Sequence, residues 1–270
     1  MRPYRPVAAA LGWVVVLAIA GCARNPGAPA GSSRLSLAVR WAASPTAADT
    51  LVDSLTAEVL DAGGGRVAGP ASLALRPDHS FSGALAVPAG SGLTVQVRAY
   101  ARGDEFFRGA SDPFTLHPED SARVAVTLAP SVTLHLSQLA ANSIFGDSVD
   151  LALACSGPVP LRGVQTDVTY DPALLTFGRA VAHTASLAGF DWAPQADGRV
   201  RVLLYGDTRS QQVPPGQAVQ LCVLRFASCS PARCGYVARA FVSLEGAAAA
   251  SAHGLSQPLT ASADSVRFIP

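Results

Sequence analysis

The residues best suited to metal or proton-transfer chemistry are the five histidines, His79, His117, His135, His183 and His253. They are scattered, with no spacing that would set two of them on one metal. The chain has no G-x-S-x-G elbow, no H-E-x-x-H pair and no phosphate-binding loop. Gly146-Asp147-Ser148, within Phe145 to Asp150, could suggest a serine nucleophile. It enters a strand-like run with no matched His, so it reads as structural. Asp147, Asp150 and Asp167 could suggest calcium, but no D-x-D-x-D-G loop is present. Arg102-Gly103-Asp104 could suggest adhesion; flanked by strand-like runs, it reads as a hairpin tip. The chain is therefore not read as an enzyme, and neither a cofactor nor a metal is implied. The formal net charge of +1 gives no electrostatic case for nucleic acid or for an anionic membrane surface. Every basic residue is Arg, and Lys is absent.

Cysteine is more informative. Cys22 ends Ile19-Ala20-Gly21-Cys22, after a positive start at Arg2 and Arg5 and an apolar run from Val7 to Ala20. That run is short for a membrane-spanning helix, which needs about 20 apolar residues. The segment resembles the lipobox of bacterial lipoprotein signal peptides, and the resemblance covers residues 1–22. It implies that Cys22 receives diacylglycerol and becomes the mature N-terminus, anchored to a membrane rather than spanning it. Ala23 stands where an inner-membrane retention signal has Asp, so the anchor is expected in the outer membrane of the cell envelope. Residues 23–33 are a Pro/Gly/Ser/Ala tether. Cys155, Cys222, Cys229 and Cys234 all lie in the C-terminal half, and an even number in an exported chain reads as disulfides. Cys229 and Cys234 flank a turn, Ser-Pro-Ala-Arg, and are expected to be bridged.

From Arg34 the hydrophobic pattern has period two, with turn residues between runs and no sustained helical period. This predicts an all-β chain with two antiparallel β-sandwich domains in series, over 34–130 and 131–270. In the first, "VPAGSGLTVQVRAYARGDEFFRG" resembles the immunoglobulin-like or prealbumin-like modules of exported bacterial proteins. In the second, Val164, Thr166, Val168 and Tyr170 share one strand face, and Gln165, Asp167 and Thr169 the other. Val200, Val202 and Leu204 likewise oppose Arg199, Arg201, Leu203 and Tyr205. Between them, Tyr170-Asp171-Pro172 must end a strand, because Pro172 cannot donate a ladder hydrogen bond and disfavours helix at Asp171.

In the second half, Gly146-Asp147 stands before an early strand, and a Gly163-initiated strand ends in Tyr170-Asp171-Pro172 with Leu174-Leu175 beyond. Phe190 precedes an Asp197-Gly198 hairpin, a hydrophobic strand runs from Val200 to Tyr205, and Pro-Gly leads into "LCVLRF". By these motifs the stretch from Val132 to Phe268 resembles cohesin domains, a jelly-roll type of sandwich. The resemblance implies a scaffold module that binds a dockerin-type protein in trans. It makes the two outward rows neighbours on one receiving sheet: Gln165, Asp167 and Thr169 beside Arg199, Arg201, Leu203 and Tyr205. Gln165 stands where the family often has an acidic or Asn contact, a departure that bears on specificity. The resemblance also makes the strands of Cys155 and Cys222 neighbours, so these thiols could pair or stay buried. The bland alternative for the face is a solvated sheet with an Asp167–arginine pair. A second functional reading is polysaccharide binding, for which Phe190, Trp192 and Tyr205 are the nearby aromatics.

The anchor reading makes a direct prediction. Cys22→Ser should abolish incorporation of a fatty-acid analogue and leave the precursor uncleaved; equal labelling of both chains would exclude lipidation at Cys22.

Overall fold

The computed structural model describes residues 32–42, 51–75, 81–140, 143–144, 146–183, 187–196, 198–208, 210–229 and 239–269. Cys22 and Cys234 lie outside them. The described residues from 32 onward belong to one compact unit, Gly31–Pro270, built from strands without an α-helix. The first half contains β1 (Ser32–Trp41), β2 (Ser54–Leu60), β3 (Arg66–Leu75), β4 (Phe81–Ser82) and β5 (Ala84–Pro88). It continues with β6 (Gly90–Ala101), β7 (Asp104–Ala110), β8 (Phe114–Leu116) and β9 (Ser121–Pro130). The second half holds β10 (Val132–Gln138), β11 (Ser143–Ile144), β12 (Ser148–Gly157), β13 (Leu161–Tyr170), β14 (Leu175–Ala182) and β15 (Gly189–Ala196). After these come β16 (Arg199–Tyr205), β17 (Gly216–Ser228), β18 (Arg239–Ser251), β19 (Ser256–Gln257), β20 (Leu259–Ser262) and β21 (Asp264–Ile269).

In the first half the strand order is β4-β3-β2-β6-β7-β9-β1-β5, with β8 on β6. Strands β4 and β5 flank Gly83, so one short stretch of chain pairs with β3 at its start and β1 at its end. The sheet thereby curls round its own core of Leu35, Leu55, Val95, Val97, Phe106 and their neighbours. Strand β6 alternates without a break, Leu93, Val95, Val97, Ala99 and Ala101 inward. The Arg102-Gly103 pair is a tight turn with both residues at positive φ, as the hairpin-tip reading requires. Asp104 is buried behind it, which leaves no exposed adhesive tripeptide.

The second half is a sandwich. A five-stranded sheet, β14-β17-β12-β10-β20, faces a larger one ordered β11-β21-β18-β13-β16-β15, with β19 on β18. Val149, Leu151 and Leu153 from one sheet meet Val164, Val168, Val200, Val202 and Leu204 from the other. Most pairs are antiparallel, but β1·β9, β10·β20 and β11·β21 are parallel. Those pairs join strands from the beginning and end of each half, where no hairpin can connect them.

The Tyr-Asp-Pro corner carries the chain from β13 in the larger sheet to β14 in the smaller. Asp171 accepts the Ala173 N–H at 2.8 Å through its carboxylate, and its carbonyl accepts those of Leu174 and Leu175. Tyr170 and Phe177 both pack edge-on against Phe226, with centroids 5.1 and 5.4 Å away. Gly198, at φ +78°, ties the hairpin to the corner: its carbonyl accepts the Tyr170 N–H at 2.8 Å. A side chain there would strike the Tyr170 carbonyl at 2.6 Å, so the hairpin before β16 needs glycine.

The cysteines divide. Cys229 is disulfide-bonded. Cys155 and Cys222 are free and buried, which corrects the pairing considered for them. Their strands are neighbours, but a bulge after Leu153 sets Cys222 opposite Leu153 and Cys155 opposite Val219. Burial pushes the Cys155 thiol up to about 11 and the Cys222 thiol to about 12. Both should therefore resist a thiol reagent at pH 8 in the native protein and react when it is unfolded without reductant. A Cys155–Cys222 bridge in a non-reducing peptide map would contradict this assignment.

Candidate partner-binding face

Strands β13 and β16 lie side by side in antiparallel register, with Gln165 opposite Leu203, Asp167 opposite Arg201 and Thr169 opposite Arg199. The pleat sends Val164, Val168, Val200, Val202 and Leu204 into the core. Gln165, Asp167, Thr169, Arg199, Arg201, Leu203 and Tyr205 consequently share the outer face, as expected from the sequence. Tyr205 sits at the corner, 42% exposed, opposite Gly163 on one side and Gly189 on the other. Its ring lies over Gly189, where any side chain would collide with it.

At the centre of this face is a carboxylate gripped by two arginines. Arg199 donates to Asp167 Oδ2 from Nη2 at 2.6 Å and from Nε at 3.1 Å. Arg201 donates from Nε to Oδ1 at 2.7 Å and from Nη2 to Oδ2 at 2.9 Å. Asp167 is only 3% exposed, so it is not an outward contact but a covered anchor for the two guanidinium groups above it. Its hydrogen bond from Arg201, helped by Arg199, holds its carboxyl below the usual carboxylate range despite burial. Glu245, at 3.9 Å from Arg199, extends the network to β18.

Strand β18 is the part that sequence reading missed. It pairs with the other edge of β13, setting Ser243 opposite Thr169 and Glu245 opposite Asp167. Ala240 and Val242 are buried, so Phe241 points outward with Ser243 and Glu245, and it is 72% exposed. The signal was present in Arg239 to Glu245 as a Phe on the polar parity of an alternating run. Placing it beside β13 required a pairing across more than seventy residues.

The polysaccharide platform does not form. Phe190 pairs with Leu204 and Trp192 with Val202, so both take the inward parity of β16 and pack against the core. Trp192 lies edge-on to Phe177 at 5.1 Å. Tyr205 is on the opposite face, and the three rings share no surface. Among the described residues no group of three or more His, Cys, Asp or Glu side chains is placed to hold a metal ion.

No protein-family model matches the chain. No curated protein matches it either. Solved structures do. The sixth cohesin of scaffoldin B from Acetivibrio cellulolyticus, in complex with a Cel5 dockerin mutant, is 19% identical with a TM-score of 0.46, covering 52% of this chain and 99% of that one. A cohesin module of a Clostridium perfringens family 33 glycoside hydrolase is 12% identical at 0.42, covering 51% and 97%. A non-cellulosomal cohesin from the archaeon Archaeoglobus fulgidus is 11% identical at 0.42, covering 52% and 92%.

The ionic centre has a testable acid signature. Because the folded-state pKa of Asp167 is depressed, its stabilisation is full above the unfolded value of about 3.9 and is lost as pH falls through the folded value. Asp167→Asn should lower stability at pH 7 by on the order of 1–3 kcal/mol and flatten the decline below about pH 4. Urea unfolding at several pH values measures both; coincident curves for the two proteins would show that the pair contributes nothing.

Proposed function

We propose that this chain is a non-catalytic scaffold lipoprotein, held on the outer membrane through Cys22, whose cohesin-like second half captures a dockerin-type protein in trans. The immunoglobulin-like or prealbumin-like first half carries that module away from the anchor. The observation that supports protein capture best is the layout of the outer face of β18, β13 and β16. Phe241 stands beyond one end of the ionic centre and Tyr205 beyond the other. By register they are separated by about eight residues along the strands, roughly 25 Å at about 3.3 Å per residue. Two exposed aromatics at that distance, with Gln165, Thr169 and Leu203 between them, suit a broad protein surface. A small ligand would reach one aromatic, not both.

The roles within the face differ. Arg199 and Arg201 are already committed to Asp167, so removing either would disturb the sheet as well as any interface. Arg201→Ala is therefore expected to lower the melting temperature. Phe241 and Tyr205 are exposed and carry no such load. Interface aromatics of this kind commonly cost about 2 kcal/mol on truncation, roughly thirtyfold in affinity.

The test is capture of dockerin modules by the full chain. Phe241→Ala and Tyr205→Ala should each weaken capture about thirtyfold, and together abolish it, with the melting temperature unchanged. Capture that survives the double change would move the site to another face. Retention on polysaccharide that depends on Trp192 would overturn the protein-binding reading.

A further inference from the structure

The joint between the two halves is a single residue. Strand β9 ends at Pro130 and β10 begins at Val132, so Ser131 alone stands between them. Hinged modules are joined by exposed, polar linkers. Ser131 is the reverse: it is buried, its N–H donates to the Phe106 carbonyl at 2.9 Å, and its hydroxyl donates to the Glu105 carbonyl at 2.6 Å.

A second connection comes from far along the chain. The turn between β18 and β19 is closed by Ser251 N–H to the Leu255 carbonyl and by Gly254 N–H to the Ser251 carbonyl, both 2.9 Å. It reaches back to the first half at three successive odd positions. His253 Nδ1 lies 2.8 Å from a carboxylate oxygen of Asp104, which is itself 5% exposed. Leu255 packs against the core of the first half. Gln257, 2% exposed, donates from Nε2 to the Glu105 carbonyl at 3.1 Å, the same oxygen that Ser131 holds. Asp104 and Glu105 open β7, so one end of one strand receives both connections.

The Gln257 amide oxygen is buried with no hydrogen-bond partner among the described residues. Its Nε2 also donates to Ser131 Oγ at 3.4 Å, so this buried amide, costly for its unpartnered oxygen, makes both its bonds at the joint. We infer that the turn from Ser251 to Gln257 is a latch that, with Ser131, joins the two halves into one rigid, cooperatively unfolding body. The latch fixes the attitude of the larger sheet to the first half, whatever that sheet binds. Swinging the halves apart would break the Gln257 and His253 contacts and expose Leu255.

Hydrogen exchange on the full chain in increasing urea, read by mass spectrometry, tests this directly. Peptides from β2 and β6 report the first half, and peptides from β13 and β17 the second. In the unaltered protein both sets should lose protection at one common midpoint. His253→Ala combined with Leu255→Ser should separate the two midpoints by at least about 0.5 M urea, well beyond the scatter of such measurements. Should that variant not fold, Gln257→Ala is expected to separate them in the same direction by less. Distinct midpoints in the unaltered protein, or midpoints that stay together in both variants, would overturn the latch.

Discussion

Alternation is the constraint on which this molecule rests. The described residues form no α-helix, so the core is assembled from strands that commit every second side chain inward, and a slip of one residue would exchange the two faces of a strand. Val164 and Val168 on β13, with Val200, Val202 and Leu204 on β16, fix that choice for the larger sheet of the second half. Once they are inside, Gln165, Thr169, Leu203 and Tyr205 have nowhere to go but out. The outer face is thus the complement of the core, and any substitution that shifted the register would destroy both at once.

The same constraint explains why Asp167 needs two arginines. Its parity places it outward, yet its neighbours on β16 and β18 close over it. A carboxylate in that position must be hydrogen-bonded or protonated. Four N–H donors from Arg199 and Arg201 meet the need with planar, forked geometry that an ammonium could not reproduce. The arrangement recurs in the first half, where buried Glu58 receives Arg66 at 2.9 Å and Arg98 at 2.7 Å. On the smaller sheet of the second half, Asp150 receives both a 2.7 and a 2.6 Å bond from Arg225. In a chain without lysine, carboxylates on sheet faces are tied down by guanidinium forks that cross from strand to strand.

What could be read in advance follows from how local each cause is. The all-β character, the inward set of β13 and β16 and the corner at Asp171 depend on residues a few positions apart, and all were legible. The Phe190 and Trp192 reading went wrong because their parity is set by pairing with β16 and not by their own run, which contains Pro194 and a bulge beside it. The Cys155 and Cys222 pairing missed for a similar reason: neighbouring strands were identified, but one bulged residue displaced the two sulfurs along the ladder. Phe241 escaped notice because its importance lies in the strand beside it. The Ser251–Gln257 turn was invisible altogether, since nothing in "SAHGLSQ" announces contacts with Asp104 and Glu105, about 150 residues away.

The ionic centre also shapes what the face can recognise. Guanidinium groups already bonded to Asp167 keep only part of their donor capacity for a partner, and they are held in place before any partner arrives. Little side-chain entropy would then be lost at the centre on docking, because the rotamers are already chosen. Affinity in such an arrangement falls to the groups that gain most by leaving water, Phe241 and Tyr205 at the two ends. The centre, where Asp167 and Glu245 offset the two guanidinium charges, supplies position and direction. On the proposed reading, a partner matched to it would present an acceptor to the remaining guanidinium N–H groups, between two apolar hollows. On the proposed reading the centre positions a partner and the two ends supply affinity, and because Arg199 and Arg201 also hold Asp167, substitutions at the centre should lower stability as well as capture.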